Sequence, residues 1–549
     1  MNENKKTLGE LLNASYSAFG YAIGFSCLVN LLMLTAPIYM LQVFDRVLPS
    51  QSSDTLVYLT IIAILAIIVY GILDIARAQV LTRVSWWIDN KLSPIALAKS
   101  LDHTLLGGSY AAQSLADITT LRQFLSSPSI YAFFDAPWII IFLIVIFLLS
   151  FPLGIIATLG AIVLLSLAIL NEKVSRKPLE QANTLHMNNQ ESISNSIRQA
   201  ECIQAMGMMS PIVSKWLHNN EAVLAMQCTA SDRSGIVLSF SKSIRLILQI
   251  LILGVGAYYV INGELTSGAM LAASIIMGRA LAPAEQAIGA WKQAINALQA
   301  YRRLQHYLSQ PETRPPEILL PKPQGRIDVN NLLYIPAGAK KPVIQGVQFT
   351  LMPGESLGII GPSGSGKSTL ARLLVGIWPP TNGTVRLDGA NIYTWNRQDI
   401  GNHVGYLPQD TLLFKGSVKE NIARMDKIED AKIISAAQFV GVHDMILHLS
   451  HGYDTDTSRY HLSGGQAQRI ALARAFYGSP ALVVLDEPES NLDQEGLAAL
   501  ELIYKNAQKS GITIIVVSQR PMLMKHCNKV LVMRDGHMER FGLYAEIIR

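Results

Sequence analysis

Gly361-Pro362-Ser363-Gly364-Ser365-Gly366-Lys367-Ser368-Thr369 is the stretch whose reading decides the fold. An apolar run, Ser356-Leu-Gly-Ile-Ile360, leads into it, and helix-forming sequence continues from Thr369. Strand, glycine loop and helix in that order form a phosphate-binding P-loop. Gly361, Gly364 and Gly366 let successive backbone N–H groups converge on phosphate oxygens, helped by the helix N-terminus. Lys367 reaches the β- and γ-phosphates, and the Ser368 hydroxyl ligates Mg2+. The bland alternative is a glycine-rich turn, but such a turn requires neither flank.

A second apolar run, Ala481-Leu-Val-Val-Leu485, ends in Asp486-Glu487. That places two carboxylates at the C-terminal end of a buried strand, beside the glycine loop. Asp486 is expected to hold Mg2+, directly or through water. Glu487 is expected to polarise the attacking water as general base. An isolated acidic pair is usually a strand-to-loop turn; a P-loop about 120 residues upstream makes that reading improbable here. The C-terminal part of the chain therefore reads as an α/β P-loop nucleotide-binding domain; the P-loop alone names only a P-loop protein, and ATP with Mg2+ is the ligand pair that the further motifs imply.

Leu462-Ser463-Gly464-Gly465-Gln466, ahead of a helix from Ala467 to Phe476, is similar to the signature of ABC transporters. Val404-Gly-Tyr-Leu-Pro-Gln409 resembles the Q-loop of that family, and Ser490-Asn-Leu-Asp493 its D-loop. The motifs stand in family order at family spacing. The resemblance implies two cassettes facing head to tail. Each ATP then lies between one P-loop and the other cassette's Ser463, Gly464, Gly465 and Gln466. It also implies that Gln409 reaches the nucleotide and its Mg2+, and that Asp493 lines the nucleotide. One cassette per chain behind six spans implies a half-transporter of ABC exporter type, acting as a homodimer.

The rest of the chain supplies the spans. A chain of 549 residues exceeds one core, so two or more domains are expected. Hydrophobic residues make up 50% and charged ones 15%, with a mean hydropathy of +0.29. Soluble domains carry about 25% charge, so a membrane portion is expected. The apolar excess lies before about residue 290. Six runs approach the ~20 residues needed to cross a bilayer. They cover about 16–44, 56–75, 133–150, 152–170, 244–261 and 267–288, which gives an α-helical membrane domain over 1–310. Five prolines between Pro311 and Pro323 mark a linker, placed at 311–325, and the nucleotide-binding domain follows at 326–549. Lys5 and Lys6 before the first run suggest a signal peptide. The run is too long for one and no small-residue cleavage site follows, so a signal anchor is expected.

Segments 77–130 and 172–242 carry most of the loop charge, including Arg77, Arg83, Arg122, Arg176 and Arg233. By the positive-inside rule they and both termini are cytoplasmic. Their helical periodicity suggests that the membrane helices continue into the cytoplasm. Arg245 sits within the fifth run; snorkelling to the interface is weighed above a place on a substrate path, as it is for Asp135 and Glu285. Net charge is +5, with no basic cluster carrying interleaved aromatics, so nucleic acid is not an expected partner. Cys27, Cys202, Cys228 and Cys527 are scattered, which suggests neither a disulfide framework nor a zinc site.

Ala36-Pro-Ile-Tyr-Met-Leu-Gln-Val-Phe-Asp-Arg-Val-Leu-Pro49, Phe133-Phe-Asp-Ala-Pro-Trp138 and Gly278-Arg-Ala-Leu-Ala-Pro283 narrow the resemblance. With Leu121-Arg-Gln-Phe-Leu125 and Gly289-Ala-Trp-Lys292 they look like type I secretion permease/ATPases of the group exporting proteases, lipases, haemophores and RTX-type proteins. That implies a protein of the bacterial inner membrane, surrounded by membrane lipid, with its nucleotide-binding domain in the cytoplasm. It further implies a periplasmic adaptor, a TolC-like outer-membrane channel and a secreted protein substrate. With about fifteen residues before the first run, no leader peptidase domain like that of some relatives is expected. Three alternatives stay open: a lipid, drug or peptide half-exporter; a weakly hydrolysing partner in a heterodimer; and a non-transporting regulator.

The chain departs from the family pattern in three places. After the apolar run Ile512 to Val517 the family has a switch histidine, but here the sequence is Ser518-Gln519-Arg520. Gln519 donates an amide hydrogen bond but carries no charge and relays no proton. It is assigned beside Glu487 as a catalytic residue, and a slow ATPase is expected. Asp454-Thr-Asp-Thr-Ser-Arg-Tyr-His461 replaces a glycine- and glutamate-rich stretch. The adenine-stacking aromatic is open between Tyr334 and ordinary strand packing of that residue, with Pro336 in the register position.

Overall fold

Residues 15–105, 111–309, 320–492 and 494–547 are described by a computed structural model. They fall into two compact units, one within Met1–Leu101 and Tyr110–Pro311, the other within Asp102–Ser109 and Glu312–Arg549. Lys5, Lys6, Asp493 and the linker residues 311–319 lie outside the described residues.

The first unit is helical. Its main helices are α1 (Tyr16–Leu32), α2 (Ser53–Leu105), α3 (Trp138–Leu149), α4 (Phe151–Arg198), α5 (Met209–Ile261) and α6 (Ser267–Ser309). Among the described residues five helical stretches are long and apolar enough to cross a membrane, or six if the bent pair Pro128–Asp135 and Trp138–Leu149 is one span. The pair bends by 53°. The break falls at Ala136-Pro137, where a proline ring fits the start of a helix but not its interior. The uninterrupted run read over 133–150 is thus two short helices. Pro37 acts alike: α1 ends at Leu32, and the proline sits in the first turn of the next helix, Thr35–Gln42. At 53 residues, α2 and α5 are each about 80 Å long, against about 30 Å of bilayer core. The length suits continuation beyond the membrane.

The charges weighed above as lone intramembrane groups are paired. Arg245 on α5 forms an ion pair with Glu285 on α6 at 2.7 Å, so neither is a lone charge reaching for an interface. Arg77, which position alone places among the loop charges, is 4% exposed. Its guanidinium donates to Ser26 Oγ at 3.1 Å, to Asp135 Oδ1 at 3.1 Å and to Asp74 Oδ1 at 2.7 Å. It also lies over the Tyr131 ring, 4.1 Å from the centroid. Asn30 Nδ2 donates to the same Asp135 oxygen at 2.7 Å. The cluster joins α1, α2 and the short helix before α3.

In the second unit, β1 (Ile327–Tyr334) pairs antiparallel with β2 (Ile344–Leu351) and with β4 (Asn382–Leu387); β5 (Ala390–Asn391) completes a four-stranded sheet. The other sheet has β3 (Ser356–Ile360), β6 (Val404–Leu407), β7 (Leu482–Asp486), β8 (Thr513–Val517), β9 (Lys529–Arg534) and β10 (His537–Leu543) in the order β10-β9-β3-β8-β7-β6. All its neighbours run parallel except β10. Every residue of β7 and β8 is buried, as a strand covered on both faces requires. The four cysteines are free.

Candidate nucleotide-binding and hydrolysis site

In a parallel sheet the ligand edge is the one where the strands end. Here β3, β8, β7 and β6 are adjacent and co-directional. The segments leaving these strands therefore meet at one edge: the loop Gly361–Gly366 after β3, Gln519 after β8, Asp486 and Glu487 at the end of β7, and Gln409 after β6. Helix α7 (Lys367–Leu374) starts directly from the glycine loop, with Lys367, Ser368 and Thr369 in its first turn. Gly361 cannot be anything else, since a Cβ there would stand 2.2 Å from Met533 O.

Lys367 is 5% exposed, and its Nζ donates to Gly361 O and Pro362 O, both at 2.8 Å. The ammonium thus spans the loop that phosphates would fill. Burial pulls its pKa below the usual lysine value, opposed by the charges of Glu487 and Asp486. Ser368 Oγ donates to Asp486 Oδ1 at 3.1 Å. Burial pushes the Asp486 carboxyl up to about 6, with the Ser368 hydrogen bond working against the shift. Asp486 Oδ2 and Ser365 Oγ are buried with no hydrogen-bond partner among the described residues. An orphaned carboxylate oxygen beside a hydroxyl fits a hard cation. Among the described residues no group of three His, Cys, Asp or Glu forms a protein cage. Mg2+ suits such a site, because it takes one or two carboxylates and completes its shell with water and substrate phosphates.

Glu487 sits in the left-handed region at φ 49°, a conformation costing about 1–3 kcal/mol for a residue with a Cβ. Its backbone N–H donates to Val517 O at 2.9 Å, which fixes the turn against β8. Two carboxamides then grip its carboxylate: Gln519 Nε2 donates to Oε1 at 2.6 Å and Gln409 Nε2 to Oε2 at 2.9 Å. Gln409 thus stands at the carboxylate of Glu487.

Ser463 caps helix α8 (Gly464–Phe476) in a capping box: its Oγ accepts from Gln466 N at 3.2 Å, and its own N–H donates to Gln466 Oε1 at 3.0 Å. Ser463 and Gly464 are exposed, and Gly465 is half-buried. A Cβ on Gly465 would approach Asn491 O to 2.8 Å, so this helix start lies close to the turn after β7. Gln468, which no sequence motif singles out, makes that link. It is 1% exposed, donates to Pro488 O at 2.6 Å and accepts from Asn491 N at 3.0 Å. A glutamine on the apolar face of α8 was the available signal. Tyr334 is 8% exposed with its ring stacked on Trp378, centroids 5.3 Å apart at 6°; it packs as a strand residue. The departure at 454–461 is folded against the stretch after Gln409. Thr457 Oγ1 donates to Phe414 O at 2.8 Å and Gly416 O at 2.9 Å, while Val418 N donates to Thr455 O at 3.0 Å.

Residues 344–490 match the family described as ABC transporter, and residues 19–281 match the ABC transporter transmembrane region. The type I secretion system ATP-binding protein PrsD of Rhizobium meliloti (strain 1021) is 39% identical over 532 residues, covering 95% of this chain and 91% of PrsD. The chain belongs to the ABC transporter family. This ABC transporter is also 27% identical over 539 residues to the exotoxin translocation ATP-binding protein PaxB of Pasteurella aerogenes, covering 95% of the chain and 75% of PaxB. A bacterial Atm1-family ABC exporter solved with ATP bound matches its fold at a TM-score of 0.83 and 20% identity, over 97% of this chain and 96% of that one. The helical unit and the P-loop unit are thus the membrane and ATPase parts of a multi-span ABC exporter fold.

Proposed function

We propose that this ABC transporter drives export of a polypeptide across the bacterial inner membrane as the ATP-hydrolysing component of a type I secretion system. The observation that carries the reading is the 39% identity, along 95% of the chain, to a protein named for such a system. The membrane domain covers 1–310, the linker 311–325 and the cytoplasmic nucleotide-binding domain 326–549. Two copies act together, with a periplasmic adaptor and a TolC-like channel completing the path.

Within each cassette, Gly361 to Thr369 bind the phosphates, with Lys367 supplying the charge. Ser368, Asp486 and Gln409 would hold Mg2+, which would neutralise phosphate charge when bound. Glu487 accepts the proton of the attacking water. Ser463 to Gln466 of one copy, and Asp493, close over the nucleotide held by the other. Excess EDTA is expected to stop ATP turnover by the purified protein, and added Mg2+ to restore it; turnover that persists without the metal counts against these assignments.

Gln519 occupies the switch position with a neutral amide. Replacing a charge-assisted contact to the transferred phosphoryl group by a neutral one costs roughly 10²-fold in rate. A slow ATPase results, and Gln519→His should raise kcat or at least preserve it. Retention of Lys367, Asp486, Glu487 and the signature favours an active site over a lapsed one. A lone protein that turns over no ATP, but does so when mixed with a second ABC chain, would instead support a heterodimer. The export reading is tested by deleting the gene and comparing the proteins in the culture medium. Loss of a defined polypeptide is expected, and an unchanged medium sinks it.

A further inference from the structure

Beneath the Gln519–Glu487 contact lies a second one that no sequence motif announces. Glu489, two residues beyond the general base, is 5% exposed; Ser518, one residue before Gln519, is fully buried. Ser518 Oγ donates to Glu489 Oε1 and accepts from the backbone N–H of Arg520 at 2.9 Å. The Ser518 backbone N–H donates to Ile359 O at 3.1 Å, on the strand that feeds the phosphate loop. Glu489 Oε2 has no hydrogen-bond partner among the described residues. Burying a carboxylate is expensive, and the Ser518 hydroxyl, the residue's own backbone N–H and the charge of Arg520 offset only part of the cost. Packing alone gives no reason for an acid here.

The geometry gives another reason. Gln519 is exposed, so nothing packs its side chain into place. Its direction depends on the backbone at 518–520, and the Ser518 hydroxyl closes that turn by accepting from Arg520 N–H while anchoring it to the Glu489 carboxylate on the neighbouring segment. The segment carrying Glu489 is itself fixed by Gln468 through Pro488 O. We propose that Glu489 is a positioning residue for hydrolysis, which acts through Ser518 to keep the Gln519 amide on the Glu487 carboxylate. The inference rests on the reading of Glu487 as general base and Gln519 as its neighbour at the switch. Within that reading it assigns the Glu489–Ser518 pair the task of orienting an amide that has no charge of its own to orient it.

The test uses the full-length protein in lipid nanodiscs, measuring kcat and KM for ATP. Ser518→Ala removes one hydroxyl and little volume. It should lower kcat about tenfold or more, up to the roughly 10²-fold that a 1 Å misplacement of a catalytic group can cost, with KM within about twofold of wild type. Ser518→Thr, which restores the hydroxyl, should recover kcat, and Glu489→Ala should match Ser518→Ala. The decisive variant is Ser518→Ala combined with Gln519→Ala. If the pair acts through Gln519, the double variant is no slower than Gln519→Ala alone. Should Glu489→Ala fail to fold, the serine series still decides. Wild-type kcat in Ser518→Ala, a loss carried by KM, or an additive double variant overturns the inference while leaving the ATPase reading intact. A wild-type protein that hydrolyses no ATP overturns the ATPase reading, and the inference with it.

Discussion

Glu487→Gln is expected to stop ATP turnover while leaving ATP binding within a few-fold of wild type. The substitution keeps the size of the side chain and removes its ability to take a proton. General bases contribute about 10²–10⁴-fold to a rate, so kcat should fall at least about a hundredfold. The phosphate-binding parts do not depend on this side chain: Lys367 is held by Gly361 O and Pro362 O, and Ser368 by Asp486. The effect should therefore fall on kcat and not on affinity. Stopped-flow phosphate release and binding of a fluorescent ATP analogue separate the two. A variant that keeps a third of the wild-type rate would remove Glu487 from the role of base.

The second large effect concerns stability. Arg77→Ala deletes the centre of the buried cluster that joins α1, α2 and the short helix before α3. Asp135, with a side chain 10% exposed, would keep the Asn30 amide as its one donor among the described residues. Removing one member of a buried ion pair costs about 3–5 kcal/mol, because the remaining charge is left uncompensated. The detergent-solubilised variant should melt well below wild type or fail to accumulate. Adding Asp135→Asn removes the stranded charge and should recover a substantial part of the loss. If Arg77→Ala melts with wild type, or if the second change deepens the defect, the cluster does not hold the helices in this way.

The two predictions separate what was legible in the sequence from what was not. The phosphate loop and the acidic strand end are written in contiguous residues, so spacing alone placed Lys367, Ser368, Asp486 and Glu487 on elements that meet. Contacts between distant segments left no such mark. Gln409 and Glu487 are 78 residues apart, and Arg77 and Asp135 are 58 apart. Counting charge by position made Arg77 a loop cation, since position carries no information about burial. Hydropathy likewise read 133–150 as one run, because Pro137 barely lowers an apolar average although it turns the chain by 53°. Glu489 carried no mark of its own in the sequence: its partner, Ser518, belongs to another strand end. The switch position was recognised through family resemblance as a departure. What Gln519 touches became visible only in three dimensions.

The cap of α8 has a consequence for how this chain tolerates change. Serine, asparagine and aspartate start helices about equally well, and Ser463 already commits one lone pair to Gln466 N. Ser463→Asp would therefore serve the helix as well as serine does, and the protein would express and fold as before. It would also place a negative charge where, in the proposed dimer, the phosphates of a neighbour's ATP arrive. Folding is indifferent at this residue and transport is not. Inactivating alleles here would pass every screen for expression or thermal stability, and would reveal themselves only when two copies meet around a nucleotide.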